Sequence, residues 1–141
     1  SEGAENLVGG FGLVGTMNTA GDIETAVCQG ISCFEQESRG RIPKEIRAHL
    51  IGDLLVVRLQ GVLTAAEQQL AKSPPPGRGR DLLKQVRSHL IETAKPLLQA
   101  MVQRITCVPV VSLHHDLSTV TDEAVILFTL AEAPFGKTKK K

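Results

Sequence analysis

The sequence predicts an α+β fold, a four-stranded antiparallel sheet made of two β-hairpins with a long helix packed on one face. Three observations predict it. Apolar residues recur at three- and four-residue steps from 81 to 105, which is the period of an amphipathic helix. Apolar and polar residues alternate on both sides of Gly52-Asp53, and a second pair of β-type segments follows Thr106. The expected order is therefore α-β-β-α-α-β-β.

Length and composition indicate one soluble globular domain. The chain has 141 residues, of which 42% are hydrophobic and 22% charged. We expect a flexible, Gly-rich N-terminal arm over 1–18, the α+β domain over 19–133, and a basic, disordered tail over 134–141.

The helices have recognisable start and stop signals. The first should begin at Thr19 or Asp22, both suitable N-caps, and end by Gly40. Thr64 and Glu67 have the spacing of a capping box, which predicts a short helix to about Lys72.

The long helix over 81–105 is expected to bury one stripe and expose the opposite side. The stripe expected to be buried is Leu83, Val86, Leu90, Ala94, Leu97, Met101 and Ile105, widened by Leu82, Ile91, Leu98 and Val102. The side expected to face water includes Arg87, with Lys84, Glu92 and Lys95.

A turn at Gly52-Asp53 would pair Ala48 with Val57 and Arg47 with Arg58. One face of this hairpin is then apolar and the other mixed. In the second hairpin, 108–115 with 123–130, an apolar face is expected from Val111, Leu113, Ile126, Phe128 and Leu130.

The mixed face of the sheet retains considerable apolar surface, contributed by Val56, Val110, Val125 and Leu127. That is too much to leave in contact with water. Either the first helix or a second subunit should cover it, and we predict a homodimer.

A candidate anion site lies on the same mixed face. Arg47 and Arg58 would be directly opposite one another, with His49 adjacent, although like charges paired across strands are destabilising. Two guanidinium groups suit a carboxylate, phosphate or bicarbonate. The alternative is structural, with carboxylates of the first helix such as Glu35 or Glu37 neutralising the arginines.

A weaker polar cluster, His114 and Asp116, lies at a strand end. Alternation lets His114 and Asp116 share a face, but no third ligand stands at a fixed spacing, so a structural role is favoured over a metal site. A small metal-dependent hydrolase that uses these two residues remains the alternative function, as does a structural dimerisation module. No catalytic residue, metal or cofactor is otherwise predicted.

Charge and residue usage argue against several classes of protein. A net charge of +1 and only four aromatic residues disfavour nucleic-acid binding. The longest apolar runs are too short to cross a bilayer, and Cys28, Cys33 and Cys107 form no C-x-x-C pair. We expect a cytoplasmic protein with free thiols, and the lysine-rich tail could place it peripherally at the inner face of the membrane.

Two motifs together resemble the bacterial MpsC-like family. They are R-L-x-G-x-L-T-x-A-E from Arg58 to Glu67 and H-x-D-L-S-T from His114 to Thr119. The resemblance extends over roughly 23–131 and implies a component of a sodium-linked, membrane-potential-generating system associated with inorganic-carbon uptake. It implies no catalytic residues. The leading functional hypothesis is a non-enzymatic accessory or regulatory protein of an ion or bicarbonate transport complex.

This sequence departs from the family pattern where glycine would be expected. The departures are Ile42, Cys107 and Asp122, together with a longer connector rich in proline and glycine before the long helix. The last two residues are expected to alter a helix cap and a hairpin turn.

Overall fold

The computed structural model describes residues 19–134. The elements are α1 Ala20–Arg39, β1 Glu45–Ile51, β2 Leu54–Gln60, α2 Ala65–Lys72, α3 Arg78–Thr106, β3 Val110–Ser118 and β4 Glu123–Leu130. The four strands form one antiparallel sheet in the order β1-β2-β4-β3. The predicted fold class and element order are confirmed. The predicted arm over 1–18 and residues 135–141 of the predicted tail lie outside the described residues.

The helix ends follow the signals in the sequence. The Thr19 hydroxyl accepts a hydrogen bond from the Asp22 N–H, and Gly40 closes α1 in the left-handed conformation at φ 76°. Thr64 and Glu67 form both bonds of the predicted capping box at the start of α2. Local chemistry therefore sets where these helices start and stop.

The first hairpin has the predicted register. Gly52 takes φ 62° in the turn, and Arg47 pairs with Arg58 as Ala48 pairs with Val57. The inner face of the sheet packs against α1 and α3 in one continuous core. The fully buried side chains of that core include Val27, Ile31, Leu55, Val57, Ile91, Ile126 and Phe128.

The opposite face, called the outer sheet face below, is not covered by α1. That helix lies on the inner side, against β1 and α3, so within residues 19–134 nothing packs over the outer sheet face. At its centre are the half-buried side chains of Leu54, Val56, Val125 and Leu127.

The expected burial of α3 is confirmed in part, and the centre of its buried side is displaced by about one residue. Leu83, Ile91, Leu98, Val102 and Ile105 are buried as expected, whereas Val86 and Leu97 are not. The large or charged residues that it buries are Leu83, Arg87, Ile91, Leu98, Val102 and Ile105. Val86 and Leu97, expected inside, are 67% and 63% exposed. Because consecutive residues are about 100° apart around a helix, a rotation of this size exchanges one apolar stripe for its neighbour. Arg87 moves inside with that rotation.

The expectation that Val111 faces the core is also wrong, since this side chain is exposed. The pairing of β3 with β4 shifts between Val110 and Ser112, so Val111 is an extra residue and is 65% exposed. Val110 packs against the core in its place.

Side chains from the helices reach the two outer edges of the sheet. On β1, the Leu50 N–H donates to Glu24 Oε2 at 2.7 Å, and the Cys28 thiol donates to the Ile46 carbonyl. On β3, Lys84 Nζ donates to the Leu117 carbonyl at 2.8 Å. Both edges therefore carry backbone groups that already have partners.

At three positions this chain has another residue where the family pattern has glycine, and two of these positions adopt the left-handed conformation. Cys107, the C-cap of α3, has φ 62°, and Asp122, in the turn between β3 and β4, has φ 56°. A residue with a Cβ is strained there by about 1–2 kcal/mol. Asp122 compensates, because its carboxylate accepts from the Leu63 N–H at 2.7 Å and from Gln68 Nε2 at 3.3 Å.

Replacing Cys107 with glycine is expected to stabilise the fold by about 1 kcal/mol, because the strain disappears and no strong contact is lost. Asp122→Gly is the matched variant and should instead destabilise, since the Leu63 N–H loses its acceptor. Urea denaturation measures both. A Cys107→Gly protein less stable than Asp122→Gly would contradict this account.

Candidate functional site

One concavity formed by the described residues is a cavity of about 310 Å³ in the helical layer, called the helix-layer pocket below. It lies between the C-terminal end of α1, the segment from β2 into α2, the N-terminal half of α3, and β3. Its lining residues are Ser38, Arg39, Val62, Leu63, Thr64, Glu67, Leu83, Val86, Arg87, Leu90 and Leu117. Most of its wall is therefore aliphatic, with a few charged and hydroxyl groups.

The polar part of the wall is held by hydrogen bonds between distant segments. Arg39 donates to the Val62 carbonyl at 2.8 Å and to Glu67 Oε1 at 2.7 Å. That same carboxylate oxygen accepts the Thr64 N–H of the capping box. The start of α2 and the end of α1 are thereby fixed to one another, which gives this side of the pocket a defined shape.

A buried ion pair stands behind the pocket. Arg87 Nη1 lies 2.9 Å from Glu35 Oε2, with Arg87 6% exposed and Glu35 fully buried. The distance is that of an ion pair, yet the N–H directions do not meet hydrogen-bond geometry. Among the described residues, neither carboxylate oxygen of Glu35 and neither Nη of Arg87 has a hydrogen-bond partner. Unsatisfied groups of this kind cost free energy and call for an explanation.

Arg87 also borders a second cavity of about 260 Å³. This cavity lies between α3 and β3, where Lys84, Ser88, His115 and Asp116 contribute to its lining. The guanidinium-bearing side chain thus separates two concave regions.

The three residues of the predicted anion site lie together on the outer sheet face, all exposed. Each arginine already has a carboxylate partner: Arg47 pairs with Glu45 of its own strand, and Arg58 with Glu123 at 3.1 Å. The hydrogen bond to Glu123 raises the pKa of Arg58. The structural alternative, in which Glu35 of α1 neutralises Arg47 and Arg58, is wrong, because Glu35 pairs with Arg87 instead.

His114 and Asp116 share the outer sheet face, as alternation predicts. Asp116 pairs with Lys84 at 3.0 Å, and His115, on the inner side, contacts Glu92 at 2.9 Å. Within residues 19–134, no group of three or more His, Cys, Asp or Glu side chains is placed to hold a metal ion. The hydrolase interpretation therefore gains no third ligand from this part of the chain.

Comparison with known proteins identifies the family. A family model described as "Na+-translocating membrane potential-generating system (MpsC)" matches residues 19–132. The chain belongs to the MpsC family. It is also similar to "Uncharacterized protein YbcI" of Bacillus subtilis (strain 168), with 34% identity over 110 residues, 78% of this chain and 86% of that relative. No solved structure matches significantly.

Both segments that carry the MpsC resemblance meet at the helix-layer pocket. The first contributes Val62, Leu63, Thr64 and Glu67 to its lining, and the second contributes Leu117. Within residues 19–134 of this MpsC domain, no helix has the length and hydropathy that crossing a bilayer requires.

Sequence reasoning did not find the pocket or the pair behind it, although one signal was present. Glu35 follows Ile31 by four residues on the apolar side of α1, and Arg87 lies four residues from both Leu83 and Ile91. Opposite charges within two apolar stripes indicate a buried pair.

Asp116 of the MpsC domain is expected to titrate below the ordinary range for aspartate. The hydrogen bond from Lys84 is the main cause of this lowered pKa, followed by the Leu117 backbone. Because the folded-state pKa lies below the unfolded one, the ionised carboxylate stabilises the fold above the unfolded pKa. That contribution is lost as the pH falls through the folded pKa.

Lys84→Met should return the titration midpoint of Asp116 towards its ordinary value, as followed by carboxyl ¹³C NMR. Lys95→Met is the matched control, because Lys95 contacts Glu92 and not Asp116. The pKa of Glu92 is lowered by His115 and by Lys95. An Asp116 midpoint that Lys84→Met leaves in place would show that the ion pair does not form in solution.

Proposed function

We propose that this protein is a non-enzymatic accessory or regulatory component of a sodium-linked, membrane-potential-generating transport system. It acts through contact with other proteins, at the inner face of the membrane. The family description supports the setting. The outer sheet face supports the mode of action, since its apolar centre has no cover among residues 19–134.

The first contact on this face is with a second copy of the chain. The strand registers place Arg47, Arg58, Val125 and Asp116 in one row across the sheet. Face-to-face pairing about a two-fold axis parallel to the strands would bring the Arg47 end of each row opposite the Asp116 end of the other. The central apolar side chains would then stack on one another, as in packed sheets.

Small-anion binding by Arg47, His49 and Arg58 is a separate and finer proposal. An anion there would have to compete with Glu45 and Glu123 for the two guanidinium groups. Isothermal titration with bicarbonate, phosphate and short carboxylates tests it. No heat with any of them, or binding that Arg58→Ala leaves unchanged, would rule it out.

The oligomeric state tests the proposed contact. Light scattering at tens of micromolar protein should find a dimer for the native chain and a monomer for Val56→Lys, which places a charge at the centre of the face. Val120→Lys is the matched control, because Val120 is 90% exposed in the turn after β3. A native monomer would remove the dimer from the proposal.

Membrane potential in cells tests the function itself. Removing the protein should lower the sodium-dependent potential reported by a voltage-sensitive dye, and the native chain should restore it. His114→Ala, which leaves the proposed contact between Arg47 and Asp116 in place, should restore it equally if no catalysis is involved. Failure of that variant alone would favour the hydrolase, and no change on removal would overturn the proposal.

A further inference from the structure

Three connecting segments lie together beyond one end of the sheet. The last row of paired residues at that end is Glu45, Gln60, Glu123 and Ser118. The segments beyond this row are 40–44 before β1, 61–64 after β2, and 119–122 between β3 and β4. Together they are called the loop end below. No association proposed so far uses the surface that they form.

Two aliphatic side chains are exposed at the loop end. Val120 is 90% exposed, more than any other large apolar residue between 19 and 134, and Ile42 is 50% exposed. Turns favour glycine, asparagine, aspartate and proline, so the turn geometry gives no reason for a valine at 120. The nearest strands, β1 for Ile42 and β3 for Val120, are three strand spacings apart, roughly 14 Å. One flat partner surface therefore reaches both side chains.

Two cations stand beside these aliphatic side chains. Arg41 donates to the carbonyls of Gly61 and Val62, which carry no net charge. The stem of Lys44 lies across Gly61, so closely that a Cβ on that glycine would approach Lys44 Cγ to 2.5 Å. Among the residues that the structure describes, no carboxylate forms an ion pair with either cation. Both charges are therefore left for a partner outside the domain.

Hydrogen bonds between the segments fix the shape of the loop end. The Gly61 N–H donates to the Asp122 carbonyl at 2.9 Å, and the Leu63 N–H donates to the Asp122 carboxylate at 2.7 Å. The charged residues of the three segments are Arg41, Lys44 and Asp122, so two positive charges less one negative charge leave +1. A preformed surface of this kind loses little conformational entropy when it binds.

These groups match the layered chemistry of an anionic bilayer surface. Its phosphates attract lysine and arginine, and aliphatic side chains that reach past the headgroups leave water for the acyl chains. We propose that the loop end docks on anionic phospholipid, with Ile42 and Val120 inserted and with Arg41 and Lys44 at the phosphates. The inference deepens the proposed function, on which it rests for the membrane setting, by naming the surface that meets the lipid.

The proposed dimer would present two loop ends on one side. A two-fold axis parallel to the strands reverses the order of the strands across the sheet but keeps the direction along them. The loop ends of both copies therefore face the same way, and the axis stands perpendicular to a membrane that they touch. Two linked sites bind one surface more tightly than a single site does, so the dimer strengthens a contact that each copy makes weakly.

Flotation of the full chain with lipid vesicles provides the test. We expect partitioning into mixed phosphatidylglycerol–phosphatidylcholine vesicles with a constant of roughly 10⁴ M⁻¹, similar to that of one myristoyl chain. Pure phosphatidylcholine vesicles should bind at least about 10-fold more weakly, because each cation near an anionic surface contributes a factor of about 5. Added salt should weaken binding to the anionic vesicles.

Two exposed valines near opposite ends of β3 locate the lipid contact. Val120→Asp should lower partitioning into the anionic vesicles about 10-fold or more, since it removes an inserted aliphatic group and adds a negative charge. Val111→Asp is the matched control and should partition like the native chain, because Val111 is 65% exposed at the far end of the strand. A chain without residues 137–141, which follow β4 at that far end, should show the same difference between the two variants.

Three outcomes would overturn the proposal. The first is no binding, or equal binding to anionic and neutral vesicles, and the second is an equal loss in Val111→Asp and Val120→Asp. The third is binding that disappears with residues 137–141 and survives Val120→Asp, which would assign it to the lysine-rich tail. The vesicles contain no protein, so such a failure would leave the accessory function to the membrane-potential experiment, and a failure there would leave the lipid contact intact.

Discussion

Arg87→Met is expected to destabilise the fold by about 3–5 kcal/mol, because it leaves the fully buried Glu35 carboxylate without a counter-charge. The double variant Glu35→Met and Arg87→Met should recover most of that loss and can exceed the native stability. Removing both charges eliminates the desolvation cost together with the attraction. Urea denaturation of the two single variants and the double variant provides the measurement.

Arg58→Met is the control for this cycle. Arg58 pairs with Glu123 at the surface, where solvent screening leaves an ion pair with little net effect on stability. Additive effects of the two single changes at Glu35 and Arg87, or a small cost for Arg87→Met alone, would mean that the pair is not buried as the structure has it.

Leu98→Ala is expected to cost about 2–5 kcal/mol, while Leu97→Ala should stay within about 0.5 kcal/mol of the native protein. The two leucines are adjacent in α3, but Leu98 is 1% exposed and Leu97 63%. Identical chemistry and neighbouring positions make each variant the control for the other.

Thermal or urea unfolding of these two alanine variants decides between the two orientations of α3. A larger loss for Leu97→Ala than for Leu98→Ala would restore the orientation that the apolar repeat first indicated. A substantial loss in both would place Leu97 in an interface of the assembled protein.

Sequence motifs that span only a few residues predicted the helix ends and the first hairpin turn correctly. The capping box at Thr64, the closing glycine at Gly40 and the turn at Gly52 each depend on backbone geometry that neighbours determine. The register of the first hairpin follows from that turn, so its predicted cross-strand pairs are confirmed.

Features that depend on distant segments were not predictable in the same way. The apolar repeat of α3 contains two overlapping stripes, and packing against β3, α1 and α2 decides which one faces inward. Val111 is outside because one extra residue in β3 changes the alternation.

The candidate site was partly predictable for the same reason. The outer-face residues Arg47, His49 and Arg58 were placed correctly relative to one another, because strand register determines their positions. The helix-layer pocket was not, since its wall is assembled from three helices and a strand. Glu35 and Arg87 are 52 positions apart (87 less 35), so no local pattern connects them.

The side chains at the sheet edges limit how this protein can associate. An incoming strand needs free backbone donors and acceptors at the sheet edge. On β1, the Leu50 N–H is bonded to Glu24 and the Ile46 carbonyl to Cys28. On β3, the Leu117 carbonyl is bonded to Lys84. The extra residue at Val111 further distorts one edge. Growth into open-ended fibrils by strand addition is thereby discouraged at both edge strands of the sheet.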